Sequence, residues 1–260
     1  MKNFLFISVL FLAAITKAQE KVPATDIIDK INAGESITLK DATITGVLDI
    51  TQLKNMKLRR QNQDEKAYLS AVTSSLTFIN CVFADDFLAH VWNEKSKTSY
   101  VTNFEEQVTF LNCTFKKDCS FKHSTFKKSS RFEGTVFSGE ADFKHAAFSE
   151  NAVFGSCMFR GSANFKHTSF RGTNFDNAQF DNYADFKHTS FSGFADFQGA
   201  LFKSDADYKH TAFSNGVSFA SAKFKGYVDF KHTSCSGKSQ MNGTVFEKDV
   251  DASHSNILKK

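Results

Sequence analysis

Seven histidines recur at nearly one interval along this chain: His123, His145, His167, His188, His210, His232 and His254. The steps between them are 22, 22, 21, 22, 22 and 22 residues. Stacked in a column about 4.8 Å apart, neutral imidazoles would offer nitrogen ligands to a divalent metal held between neighbours. The competing reading is that His suits a corner of the chain, where its ring bonds to backbone or rests on the next ring. No carboxylate stands at a spacing that completes a zinc site with any one of these histidines. Two charged columns run beside them. Lys122, Lys144, Lys166, Lys187, Lys209 and Lys231 form one, and Asp142, Asp185, Asp207, Asp229 and Asp251 the other, with Asn164 filling a gap. A lysine ladder alone would repel itself. An aspartate ladder beside it offsets that by about 0.2–1 kcal/mol per pair. The charges therefore read as a solvated, self-neutralised face.

A second set of chemistry-bearing residues breaks the interval. Residues 84–103 hold Trp92, the single tryptophan, with Phe87, His90 and Tyr100. A loop that interrupts a regular pattern is a candidate for binding; alternatively it folds back and buries Trp92. No Ser/His/Asp order, glycine-rich phosphate loop or paired-carboxylate motif stands out. The sequence therefore points to no catalytic residue, no cofactor and no metal site, and to a protein that is not an enzyme.

The elements that would position these residues follow from the same interval. Large apolar residues run from Phe104 to Phe246 in steps that alternate 6 and 5. The one exception is Phe170 to Phe175, a step of 5 where 6 is due, which accounts for the single 21-residue interval. Neither a helix nor a simple strand gives this alternation. Two residues before each large one lies a small one, as in Ala141, Ala146, Ala152, Cys157 and Ala163. Phe occurs 31 times, against 5 Tyr and 1 Trp, and Pro23 is the single proline. One element used many times, with Phe in a fixed internal slot, explains both extremes. A period this long means a stacked repeat.

The units Ala-Asp-Phe-Lys-His, Ala-Asn-Phe-Lys-His and Ala-Asp-Phe-Gln-Gly resemble the A(D/N)LXX units of the pentapeptide-repeat family, with Phe in the central slot. The resemblance is strong over 104–246 and weak over 37–50 and 76–83. It implies an all-β fold, a right-handed quadrilateral parallel β-helix, with the central Phe and the small residue pointing inward. One departure is plain: every second link carries an extra residue, so a coil takes 22 residues and the extra one should bulge at two of the four corners. The physics agrees. Coils about 4.8 Å apart place each Phe on the Phe one coil away, and each buried Phe contributes roughly 1.5–3 kcal/mol.

The cysteines fit this scheme. Cys81, Cys113, Cys119 and Cys157 take the small slot and Cys235 replaces a Phe. Their irregular spacing is neither a disulfide framework nor a zinc motif, so buried free thiols are the main reading, with a Cys81–Cys113 bridge left open.

Domain organisation follows. Residues 1–18 read as a secretory signal peptide, with Lys2, an apolar run from Phe4 to Ile15 and small residues at the cleavage point. Residues 19–36 form an N-terminal cap around a helix over 24–34, started by Thr25 or Asp26 and ended by Gly34. The β-helix spans 37–257, with excursions at about 51–75 and 84–103, and 258–260 form a tail. The formal charge of +4 falls to +2 without Lys2 and Lys17. That value favours no nucleic-acid partner, and no stretch of the mature chain is long enough to span a membrane.

The function these features favour is a non-catalytic structural or binding protein of the cell envelope, periplasmic or extracellular, presenting a rigid surface to a protein or other envelope component. A carbohydrate-active β-helix enzyme is the alternative. A DNA-mimicking topoisomerase protector, a role the resemblance would allow, is disfavoured by the positive charge and the leader. If the leader reading is right, N-terminal sequencing of mature protein begins at Gln19; recovery of an intact Met1 in the cytoplasm would refute it.

Overall fold

The structure is a computed structural model describing residues 19–62 and 64–259. The expected leader lies outside the described residues, as does the last residue of the expected tail. The chain is a right-handed parallel β-helix of short strands, mostly two to four residues each. Each coil has four faces. Strands such as Ala141–Asp142, Ala163–Asn164 and Ala184–Asp185 stack into a nine-stranded parallel sheet. Strands such as Val136–Phe137 and Met158–Phe159 stack into a ten-stranded one. The other two faces merge into a single 17-stranded sheet. They merge because Ala147–Val153 and Ser169–Asn174 run unbroken around the corner between them.

The alternation of 5 and 6 has a local cause. In the 5-residue links other than Phe170 to Phe175 the chain passes a corner through a tight turn. Ala146 N–H donates to the Phe143 carbonyl at 2.9 Å, and His145 between them has φ +59. A left-handed third residue marks a type II turn, which favours Gly or Asn. The opposite corner uses Gly134, Ser156, Asn177 and Gly199 with the same positive φ. The 6-residue links supply the other two corners, where the extra residue sits. There coils approach backbone to backbone: a Cβ on Gly161 would collide with the Gly139 carbonyl beneath it. The missing residue between Phe170 and Phe175 shows as a register shift where Phe148 pairs with Phe170 but Asn151 with Gly172.

Inside, the large residues form columns. Phe143, Phe165 and Phe186 stack at 5.0 Å with planes 5° apart. Between columns the rings meet edge to face, as Phe143 and Phe154 do at 5.4 Å and 86°. Both arrangements suit the ring quadrupole. The small slot has a second duty. Thr168, Thr189, Thr211 and Thr233 each donate a hydroxyl bond of 2.6–2.7 Å to the carbonyl of a Phe or Tyr one coil back. Cys157 makes the same bond with its thiol, at 2.8 Å from Phe132 O. All five cysteines are free and buried. Tyr208 occupies a Phe position, and its buried hydroxyl has no partner among the described residues.

One end is covered by the helix Ala24–Asn32, whose Ala24, Ile27 and Ile31 are buried on the first coils. Its start differs from expectation. Neither Thr25 nor Asp26 caps it. Pro23 ends a strand paired with Ala42–Thr45 and leads straight into the first turn, while Thr25 bonds to Asp26 instead of to backbone. Pro suits this place because the first helical amides need no acceptor within the helix. Among the described residues no helix is long and apolar enough to cross a membrane.

Two hairpins interrupt the coils. Lys57–Gln61 pairs antiparallel with Lys66–Val72, and His90–Asn93 with Thr98–Phe104. The inner strands, Lys66–Val72 and Thr98–Phe104, pair in parallel along seven residues. The four strands make one sheet that extends a face of the β-helix. Phe87 lies before the second hairpin, in the coil itself.

Two substitutions test the interior. Phe165→Ala should destabilise by about 3–5 kcal/mol, the usual cost of emptying a buried aromatic site. Tyr208→Phe should stabilise by about 1 kcal/mol, because it removes a buried hydroxyl that bonds to nothing. Urea unfolding measures both, and a loss of stability in Tyr208→Phe would mean that the hydroxyl has a partner.

Candidate functional site

The repeated polar residues are fixed by the backbone. Each Asp or Asn before the inward Phe accepts the amide two residues on: Asp142 from Lys144 at 3.0 Å, Asn164 from Lys166 at 3.2 Å and Asp185 from Lys187 at 2.9 Å. This Asx bond primes the turn that follows. The expected pairing of the lysine and aspartate columns occurs once within 4.0 Å among the described residues, between Lys187 and Asp207 at 2.8 Å. The aspartates therefore serve the turn more than the lysines. Burial pushes the Asp142 and Asp185 carboxyls above the ordinary range.

The histidines stack as a column. Centroids from His123 to His254 stand 4.7–5.0 Å apart, with planes within 8°. Every one has φ between +55 and +61. Apart from Gly, only a few residues, His among them, enter this region readily. Among the described residues no group of three His, Cys, Asp or Glu could hold a metal ion.

The residues outside the repeat meet at one end of this column. His90 rests edge-on against His123, with centroids 5.4 Å apart and planes at 60°. It is the eighth member of the column, supplied by the second hairpin. Above it the two hairpins and the first rungs enclose a groove of about 700 Å³. Arg59, Arg60, His90, Trp92, Lys122 and His123 line it. Alternation along the strand explains which side chains face in. His90 and Trp92 lie two apart on one face of the sheet, opposite Val101 and Ser99. Tyr100 points to the other face, where it stacks on Tyr68 at 5.5 Å.

The four candidate loop residues therefore separate. His90 and Trp92 reach the groove and Tyr100 does not. Phe87 is wholly buried and packs on Phe121 with centroids 4.9 Å apart and planes tilted by 34°, so it belongs to the core and not to a loop. It pairs with Cys119, taking the small slot, while Ala89 takes the large one. That exchange hid the coil from the 5/6 pattern. Trp92 is 41% exposed and is not folded back against the coils. Its indole N–H donates to Glu94. Arg59 and Arg60 carried only a weak sequence signal, a basic run within an excursion.

A family model described as pentapeptide repeats (9 copies) matches residues 102–147, 143–190, 175–223 and 186–234. The chain belongs to the pentapeptide-repeat family. No curated protein and no solved structure matches it. The pentapeptide-repeat match begins at residue 102, so Arg59, Arg60, His90 and Trp92 lie outside it while Lys122 and His123 lie inside. The groove thus joins residues inside the family match to residues that lie outside it.

Burial lowers both His90 and His123 to a pKa of about 4; next come Lys122 and His123 for the first, and His145, Lys122, Lys144 and Arg59 for the second. In the unfolded chain each should titrate near the ordinary value of about 6.5. Between those values the unfolded state binds more protons, so stability is full above about pH 6.5 and falls as pH drops toward 4. Urea unfolding at several pH values should show this loss, and His123→Asn, which keeps a residue tolerant of the left-handed corner, should reduce it. NMR titration should centre both imidazoles near pH 4; curves near 6.5 would contradict their burial.

Proposed function

We propose that this pentapeptide-repeat protein is an exported, non-catalytic binding protein of the cell envelope, periplasmic or extracellular. Its coils form the rigid carrier and its two-hairpin groove takes the partner. One observation carries this reading. The repeated Asp and His residues each answer to a turn, while Arg59, Arg60, His90 and Trp92, outside the family match, meet in one concave, cation-rich groove.

The family is in general non-catalytic, and the groove favours the same conclusion here. Glycoside hydrolysis commonly uses two carboxylates. Among the described residues Glu65 is the one carboxylate lining the groove, and it is paired with Arg60 at 3.3 Å. A DNA-mimicking surface would be strongly acidic, whereas this chain carries a formal charge of +4.

Cell fractionation with pull-down from the native envelope tests the proposal. The protein should fractionate outside the cytoplasm and capture an envelope component, and Trp92→Ala should abolish that capture while Lys209→Gln leaves it intact. Capture that survives Trp92→Ala would remove the groove from the function. Turnover of a polysaccharide by the purified protein would restore the enzymatic alternative.

A further inference from the structure

We propose that the groove between the hairpins binds an acidic saccharide, with its anionic oxygens held by Arg59 and Lys122 and a sugar ring laid on Trp92. This deepens the binding reading above and rests on it.

The electrostatics come first. Among the described residues neither Arg59 nor Lys122 has a carboxylate within 4.0 Å, whereas Arg60 is taken by Glu65. Two cations without carboxylate partners therefore line one concave site with His90 and His123. A concave site lined by charge of one sign concentrates its field and draws anions in. The guanidinium fork of Arg59 suits the paired oxygens of a carboxylate or a phosphate.

The aromatic comes second. Trp92 sits on a strand, is 41% exposed, and has its N–H held by Glu94. Its polar edge is satisfied, which leaves the apolar ring surface open to a ligand. The apolar face of a sugar ring fits such a surface, and the nearby Ser99 and Thr125 hydroxyls suit its polar groups. Ser99 is itself within 3.4 Å of the His90 ring. The volume, about 700 Å³, suits a short oligosaccharide and lies within the ~300–1,000 Å³ of small-ligand sites. The walls are strands and the floor is stacked coil, so the site is preformed.

The same features argue against larger anions. Nucleic acid needs a basic track along its backbone. Here the lysine column beyond the groove runs beside an aspartate column, so it offers no continuous basic track.

Trp92 is the chain's single tryptophan, so intrinsic fluorescence reads the groove directly. The mature protein is titrated with a short oligogalacturonate, a neutral oligogalactose of equal length, an oligoglutamate peptide and a single-stranded oligonucleotide. Calorimetry runs in parallel. Oligogalacturonate should shift the emission and bind at least about tenfold more tightly than the neutral sugar, and binding should weaken as salt rises. Arg59→Gln and Lys122→Gln should each weaken it by about tenfold, Trp92→Ala should do so by calorimetry, and Lys209→Gln should not. Equal affinity for the neutral sugar, no binding of the acidic one, or tighter groove-dependent binding of the peptide or oligonucleotide would overturn the inference. If envelope capture still depends on Trp92 in that event, the ligand class alone is wrong. If capture is indifferent to Trp92, the groove reading fails with it.

Discussion

Backbone hydrogen bonds between coils fix a spacing near 4.8 Å, and no side chain can change it. Every column in the molecule must accept that repeat. Aromatic rings accept it well, because a centroid distance of 4.5–5.3 Å with near-parallel planes is an offset stack. Four columns around a narrow interior then meet edge to face. The interior is thus parallel along the axis and perpendicular across it. Few other side chains would fill this space in one rotamer at every coil, which is why Phe is so abundant and why a small residue must stand two places before it.

On the outside the same spacing decides which polar residues can recur. It holds imidazoles close enough that charging one disfavours charging its neighbour. It places aspartates where each serves its own turn before it serves a lysine. The recurring polar residues are answers to geometry. Arg59, Arg60 and Trp92 answer to no repeat position, and they meet in the groove.

The repeat made the architecture legible, because a 5/6 alternation sustained from Phe104 to Phe246 admits few other folds. The stacking of the histidines followed from the same register. The helix start was misread because capping rules look for a hydroxyl or carboxylate, and here a strand feeds the helix through Pro23. Phe87 was misread because Phe87 and Ala89 exchange the large and small slots in that coil, so the phase looked lost before it was. The groove itself was only half visible. Trp92 and His90 stood out by rarity and position. Arg59 joins them only through the parallel pairing of Lys66–Val72 with Thr98–Phe104, a contact between two segments that lie outside the repeat phase.

The groove draws its lining from the hairpins and from repeat residues no later than His145. The coils beyond contribute nothing to its walls. From His145 to His254 they extend roughly 24 Å, at about 4.8 Å per coil. Because each coil touches only its neighbours, whole coils can be added or lost there without disturbing the far end. The shaft is therefore a ruler graduated in single coils. Duplicating the 22 residues of one coil in the gene would move the last coil by one graduation, leaving the groove unaltered.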